Sequence, residues 1–321
     1  MSQEVRIATV TLNPAIDQTV SIPNFRAGQV NRVAYTRSDA GGKGVNVASV
    51  LADYGAGTEH PFPVSVTGFL GQENTLLFER LFAEKGIEDR FVRIAGSTRI
   101  GIKIVDEPRQ ETTDINFPGE MPTAKDVAAL FQIVEELTAT CSWFVLSGSI
   151  PVGLSPEIYR ELVEAIKAKG RAVVLDTSGE GLRRALAAAP TMVKPNVDEL
   201  RELSGKPLHR EEAIVRAAQR LLERGIDCVV VSMGKQGALF VEREEVIIAR
   251  PPEVVVKSTV GAGDAMVSGL VASKARDDSL ADCARLATAF SVDAITRVGS
   301  GLSSMDSINA YMAQVAVETV S

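Results

Sequence analysis

The sequence predicts an α/β protein: a mainly parallel sheet covered by helices on both faces, with a small β lid over one edge. Three observations carry this. Short β-branched, apolar runs alternate with longer amphipathic stretches along most of the 321 residues. The apolar runs are nearly continuous, as in strands buried on both faces. Several amphipathic stretches end at a glycine (Gly86, Gly170, Gly225), the residue that accepts the left-handed turn closing a helix.

In chain order, strands are expected at 5–12, 63–69, 144–147, 172–176, 192–194 and 228–232, and helices at 45–54, 73–85, 124–138, 156–169, 211–224, 262–276 and 280–297. Within 73–85, Leu76, Leu77, Leu81 and Phe82 share one helix face, with Glu79, Arg80 and Glu84 on the other. Two stretches, 20–36 and 98–116, break the alternation. The second contains Ile100-Gly101-Ile102-Lys103-Ile104-Val105, whose side chains alternate in character. Both read as short strands with turns and form the expected lid. No repeat, low-complexity tract or Pro/Ser/Gly-rich linker divides the chain. One domain over 1–321 is expected, with lid segments at about 20–36 and 98–116.

Composition narrows the function. With 45% apolar and 23% charged residues the chain can bury a sizeable core. Lys plus Arg total 34 against 41 Asp plus Glu, a net charge of −7, which argues against a nucleic-acid partner. No apolar run reaches the length of about 18 residues a membrane helix needs. The opening Met-Ser-Gln-Glu-Val-Arg has an early Glu and no apolar run, so no secretory leader is expected. Cys141, Cys228 and Cys283 are far apart and form no CxxC pair, which fits a reducing, cytoplasmic location better than a zinc site or disulfide framework. Cys228, Cys283 and Trp143 read as packing residues. The two histidines, His60 and His209, sit in no hydrolase motif.

The strongest chemical signal is Ser258-Thr259-Val260-Gly261-Ala262-Gly263-Asp264-Ala265-Met266. Closely spaced glycines before an apolar helix let a ligand approach the backbone, and the N–H groups at a helix N-terminus favour an anion. Asp264 enters the first turn, where a carboxylate can cap the helix or act as a general base. A cap needs no Gly-x-Gly before it, which favours the base. Asp39-Ala40-Gly41-Gly42-Lys43-Gly44-Val45-Asn46 also opens a helix with glycines, here around a lysine, and suits an anion or a polyol. It lacks Walker A spacing, and a plain strand–helix turn would need only one glycine. Asn196-Val197-Asp198-Glu199 follows Lys194-Pro195. Asn196 and Glu199 can hold a hydrated Mg²⁺ or form a capping box; taken alone, the box is the better reading. Asp17 could meet ligand hydroxyls or end a turn at the close of the first strand. Arg99 and Lys103 on the lid could clamp a phosphate or face solvent.

In this order, these segments resemble the ribokinase-like phosphofructokinase B family of sugar kinases. Residues 41–46 match its N-terminal signature, 256–264 its C-terminal signature and 196–199 its Asn-x-x-Glu motif. The chain is most similar to the 1-phosphofructokinase branch, through Thr11-Leu12-Asn13-Pro14-Ala15-Ile16-Asp17, Gly68-Phe69-Leu70-Gly71, Thr113-Asp114-Ile115-Asn116, Leu146-Ser147-Gly148-Ser149-Ile150-Pro151 and Val174-Leu175-Asp176-Thr177-Ser178-Gly179. Tagatose-6-phosphate kinases share many of these segments.

The resemblance implies a three-layer αβα sandwich that transfers the γ-phosphoryl of MgATP to the 6-hydroxyl of fructose 1-phosphate. The alternatives are a tagatose-6-phosphate kinase and a catalytically silent binder on the same fold. It implies Asp264 as base, Gly261, Ala262 and Gly263 as N–H donors to the moving phosphoryl group, and Asn196 and Glu199 about Mg²⁺. Lys194, Ser232, Gly234, Gly237 and Thr259 would attend the nucleotide. Asp17, Gly42, Lys43 and Asn46 would hold the sugar, with Arg99, Lys103 and Ser149 on its existing phosphate. Some members use a monovalent cation near the C-terminal signature, and members tend to pair through the lid, so a homodimer is expected. Gly101 stands where many 1-phosphofructokinases carry Asn, which removes a donor from the lid strand.

Overall fold

The computed structural model describes residues 5–58, 61–297, 299 and 301–320; His60 and the first four residues lie outside the described residues. The chain opens with β1 (Ile7–Thr11), β2 (Ala15–Ser21), β3 (Tyr35–Gly41), α1 (Lys43–Ala56), β4 (Val64–Gly71) and α2 (Leu76–Lys85). There follow β5 (Glu88–Asp89), β6 (Val92–Ile94), β7 (Ile100–Asp106), β8 (Glu111–Asn116), α3 (Ala124–Thr138), β9 (Trp143–Ser147), α4 (Ile158–Ala168), β10 (Ala172–Asp176) and α5 (Gly179–Ala185). The second half holds β11 (Met192–Val193), α6 (Val197–Ser204), α7 (Glu211–Leu222), β12 (Cys228–Ser232), β13 (Ala238–Val241), β14 (Val246–Arg250), α8 (Ala262–Lys274), α9 (Leu280–Ile295), α10 (Met305–Gln314) and β15 (Ala316–Thr319).

The main sheet has the order β15-β14-β13-β12-β11-β10-β9-β1-β4-β5, with β6 also on β4. Pairing from β5 through β12 is parallel; β13, β14 and β15 add antiparallel at one edge. Two buried clusters lie on its opposite faces. One gathers Val45, Leu51, Phe78, Val267, Leu270 and Phe290 from α1, α2, α8 and α9. The other gathers Leu130, Val134, Tyr159, Leu162, Val215 and Leu221 from α3, α4 and α7. Strand residues alternate between them: Val145 joins the first, Phe144 and Leu146 the second. This three-layer packing explains the unbroken apolar runs, since both strand faces are covered.

Helix ends follow local chemistry. Gly86 closes α2 at φ 64°, and Gly170 and Gly225, just beyond α4 and α7, also have positive φ. Thr123 and Asp126 form a reciprocal capping box at the start of α3.

The lid is a separate sheet in the order β3-β2-β7-β8. Its first half differs from expectation. The strands run Ala15–Ser21 and Tyr35–Gly41, while most of 20–36 is the loop between them. The reason is composition: Asp17, Gln18, Thr19, Ser38 and Asp39 give no apolar run, and cross-strand pairing rather than burial holds them extended. Asp17 therefore sits within the first lid strand, paired with Asp39 and Gly101, and not at the end of β1. The second half, β7 and β8, falls within 98–116. Buried Asp106 ties down the long loop, accepting from the Asn24 and Phe25 N–H groups, both at 2.9 Å.

Among the described residues no helix is long and apolar enough to cross a membrane.

Candidate active site

Asp176 and Lys194 stand at the carboxyl ends of the parallel strands β10 and β11, and Ser232 at that of β12. β1 runs on to β4 in one direction, while β9, β10, β11 and β12 build out in the other, so the order reverses between β1 and β9. Ligands of open α/β sheets bind above such a reversal. A cleft of about 410 Å³ lies there, lined by Ala15, Asp17, Gly42, Lys43, Asn46, Arg99, Asp176, Lys194, Asn196, Glu199, Ser232, Val260, Gly261, Gly263 and Asp264.

Two helices aim their N-termini into it. α1 begins after Gly42 (φ 110°) and α8 after Gly261 (φ 81°), and neither has a side-chain cap. Their first N–H groups, among them those of Ala262 and Gly263 in α8, are left for a ligand, and both dipoles favour negative charge. The positive φ at each start is accessible to glycine at little cost. At 42 the fit is also tight, because a Cβ would lie 2.8 Å from the Pro14 Cα. At 263 a Cβ would stand 3.5 Å from Lys194 Nζ, an ordinary contact that places this ammonium against the start of α8.

Asp264 is 7% exposed, and Asn46 Nδ2 donates to its Oδ2 at 2.8 Å. Burial, then the nearby Asp176 charge, pushes the Asp264 carboxyl up to about 6; Lys43, the Asn46 hydrogen bond and Lys194 oppose the rise. Asp176 closes β10 and is the hub of the site. Lys43 Nζ lies 3.2 Å from its Oδ2 and Lys194 Nζ 3.2 Å from its Oδ1. Burial acts to raise the Asp176 carboxyl, but Lys194 and Lys43 together hold it below the ordinary value. Burial acts against the Lys43 charge too, yet Asp176, with Asp264 and Glu199, keeps that ammonium above its ordinary value.

Asn196 and Glu199 form the capping box: Asn196 Oδ1 accepts from the Glu199 N–H and Glu199 Oε2 from the Asn196 N–H, both at 2.8 Å. Both residues also line the cleft, so capping and ligand contact are compatible roles. Among the described residues no three His, Cys, Asp or Glu side chains gather as a metal-holding group. The oxygen donors beside the anion pocket still suit a hydrated Mg²⁺ carried mainly by phosphates.

The remaining predicted residues separate. Arg99 reaches the cleft, with Nε donating to Asn13 Oδ1 at 3.0 Å and Nη2 to the Asn13 carbonyl at 3.3 Å. Burial lowers the Arg99 pKa, with Asp17 acting the other way. Asn13 Nδ2 donates to Ser149 Oγ at 3.1 Å, so Ser149 joins Arg99 through Asn13. Lys103 and Thr259 line an adjoining recess of about 270 Å³ that shares Asp17, Asn46 and Gly261 with the cleft. Burial raises the Asp17 carboxyl; Lys103 and Arg99 pull it down, and Asp39 and Asp114 push it up. Gly234 and Gly237 lie outside both recesses, in the tight turn between β12 and β13, where a Cβ at 237 would meet the Ala249 carbonyl. A Cβ at 101 would lie 3.2 Å from Asp17 Oδ1 and 3.4 Å from Asn116 Oδ1.

Sequence reasoning assigned no role to Asp176 or Asn13. Asp176 had one legible signal, a carboxylate at the carboxyl end of an apolar parallel strand. Asn13 had only its place after β1, within the family-like segment Thr11–Asp17.

Known proteins place the chain. The model of the pfkB family of carbohydrate kinases matches residues 10–307. The 1-phosphofructokinase of Rhodobacter capsulatus is 47% identical over 317 residues, 98% of each chain. That of Escherichia coli K12 is 40% identical over 316 residues, 97% of each. Among solved structures, E. coli phosphofructokinase-2 in complex with fructose-6-phosphate superposes with a TM-score of 0.86 at 30% identity, covering 97% of this chain and 99% of that one. The same protein has been solved with potassium and in a tetrameric inhibited form, with TM-scores of 0.88 and 0.87 at that identity and coverage. With a family match across most of its length and full-length relatives well above 30% identity, the chain belongs to the pfkB family of carbohydrate kinases.

Proposed function

We propose that this kinase transfers the γ-phosphoryl group of ATP to the 6-hydroxyl of fructose 1-phosphate, giving fructose 1,6-bisphosphate and ADP. The observation that carries the chemistry is buried Asp264, at the uncapped start of α8, with its carboxyl raised to about 6 beside Lys43 and Lys194. A carboxylate with that pKa is ionised at neutral pH and still a competent proton acceptor. The Asn46 amide holds Oδ2 and leaves Oδ1 to the sugar hydroxyl. The hydroxyl oxygen attacks the γ-phosphorus, its proton passes to Asp264, and the bond to the bridging oxygen of ADP breaks. The N–H groups of Gly261, Ala262 and Gly263 and the two ammonium groups meet the charge on the moving phosphoryl oxygens. Ser232 and Thr259 attend the nucleotide.

Asn196 and Glu199 would hold Mg²⁺, which when bound would neutralise charge on the ATP phosphates. Asp17 and Gly42 orient the ketose. Arg99, backed by Asn13 and Ser149, and Lys103 hold the phosphate already present. Fructose 1-phosphate is favoured because the full-length relatives at 47% and 40% identity are 1-phosphofructokinases, whereas the neighbour solved with fructose-6-phosphate is 30% identical. A monovalent cation near the C-terminal signature, residues 256–264, is supported by the potassium complex of that neighbour.

The chain acts as one catalytic body with its lid, in the cytoplasm, where ATP is at hand and buried Cys141, Cys228 and Cys283 stay as thiols. A homodimer through the lid is supported by its exposed outer edge. β8 is exposed throughout, and Ile100, Ile115 and Phe117 present apolar surface there.

The test is ADP release with Mg²⁺ and ATP on fructose 1-phosphate, fructose 6-phosphate, tagatose 6-phosphate and free fructose. Highest kcat/KM for fructose 1-phosphate is expected; a preference for a 6-phosphate would overturn the substrate assignment.

A further inference from the structure

We propose that Asp176 is a positioning residue whose buried carboxylate sets the spacing of Lys43 and Lys194 on the two sides of the transfer site. The proposal rests on the kinase reading above. Lys43 opens α1 beside Gly42 and Asn46, on the sugar side. Lys194 follows β11 and reaches the start of α8 beside Gly263, on the phosphate-donor side. The two come from distant parts of the chain, and among the described residues Asp176 is the ion-pair partner of both.

The anchor is buried in the sheet, whereas the Lys43 side chain is 42% exposed. Asp176 is 2% exposed at the end of a central strand. Its carbonyl accepts from Gly148 N–H at 3.0 Å, and Ser147 Oγ lies 3.5 Å from Oδ2. A lysine is a point charge on a four-carbon stem that loses rotamer freedom when fixed. One carboxylate with a lysine on each oxygen fixes both stems before substrate arrives. It also leaves the trio with a single net positive charge (two ammonium groups less one carboxylate) to meet the phosphoryl group. Without Asp176, Asp264 is the carboxylate that both lysines still act on, and pairing there would take the proton acceptor out of use.

Asp264 feels this arrangement directly. The charges facing it are Asp176 from β10, Lys43 from α1 and Lys194 from the β11 end, with neutral Asn46 on its Oδ2. Glu199, from α6, faces Lys43. Removing the Asp176 charge deletes a repulsion and frees two attractions, and both changes favour the ionised Asp264.

The experiment is Asp176→Asn in the full chain, with kcat, both KM values and the pH dependence of kcat/KM measured on fructose 1-phosphate and MgATP. We expect kcat to fall about a hundredfold through loss of alignment. Both KM values should stay within about threefold. The acid limb of the pH profile should move to lower pH by at least about half a unit. A merely structural defect would reduce the active fraction and leave that limb in place. A kcat within about threefold of the parent, or an unmoved acid limb, overturns the proposal. If Asp176→Asn does not fold, Lys43→Gln/Asp176→Asn keeps a neutral hydrogen bond there, and its acid limb is compared with that of Lys43→Gln alone. A limb lower in the paired variant is expected; the same limb in both overturns the proposal. Absence of turnover by the unmodified protein would count against the substrate reading and not against Asp176.

Discussion

Asn46 Nδ2 donates to Asp264 Oδ2 across 2.8 Å, tying the first turn of α1 to the first turn of α8. These two helix starts are separated by more than 200 residues in sequence, yet they face one cleft. The hydrogen bond orients the carboxylate while burial and Asp176 keep its proton affinity high.

The first consequence is a pH dependence of rate. Asp264 accepts a proton only when ionised, so activity should fall on the acid side as pH drops through the folded-state value of about 6. The kcat/KM profile for the phosphosugar checks this. An acid limb near 4, the range of an ordinary carboxylate, would mean that the perturbed group is not the one titrating.

The same shift makes Asp264 costly to stability. Its folded value of about 6 lies above the model value of 3.8, so the folded state disfavours the ionised form. The penalty is absent below the unfolded value, grows as pH rises between the two values and is complete above the folded one. Asp264→Asn should therefore raise Tm at pH 8, by up to roughly 3 kcal/mol of stability, and raise it less at pH 4. Thermal melts at the two pH values decide it; equal changes at both would break the link between the shift and stability.

Much of the fold was legible because it rests on local pattern. β1, β9, β10 and β12 are short apolar runs, and each lies within or one residue from its expected span. The glycine stops at 86, 170 and 225 all adopt the left-handed backbone. What escaped depends on partners far away in sequence. β2 and β3 are polar and extended because they pair with each other, and β2 also with β7. β13 and β14 form an antiparallel hairpin that a strict strand–helix alternation passes over. In the cleft, glycine loops and the residues beside them could be read from motif spacing. The joining of Asp176 to Lys43 and Lys194 could not, since those residues meet only when three strand and helix ends converge. The departure of Lys103 from Arg99 is also tertiary. One strand carries Lys103 into the outer recess, while the Arg99 side chain turns to Asn13.

Arg99 tests the phosphate end. Its guanidinium reaches the cleft and is steadied by Asn13, which also holds Ser149. Arg99→Ala should raise KM for the phosphosugar by about ten- to a hundredfold, the worth of a charge-assisted hydrogen bond. KM for ATP should change by less than about threefold. Steady-state kinetics with each substrate varied in turn separate the two. Equal rises in both would make Arg99 a structural support for the lid.

The central claim is that Asp264 takes the proton of the acceptor hydroxyl. The most direct measurement is turnover of Asp264→Asn with ATP affinity determined on the same preparation. The account predicts a loss in kcat of at least about a hundredfold, the usual contribution of a positioned base, with ATP affinity kept within about threefold. An Asn variant that binds ATP and retains more than about a tenth of the parent kcat would contradict it.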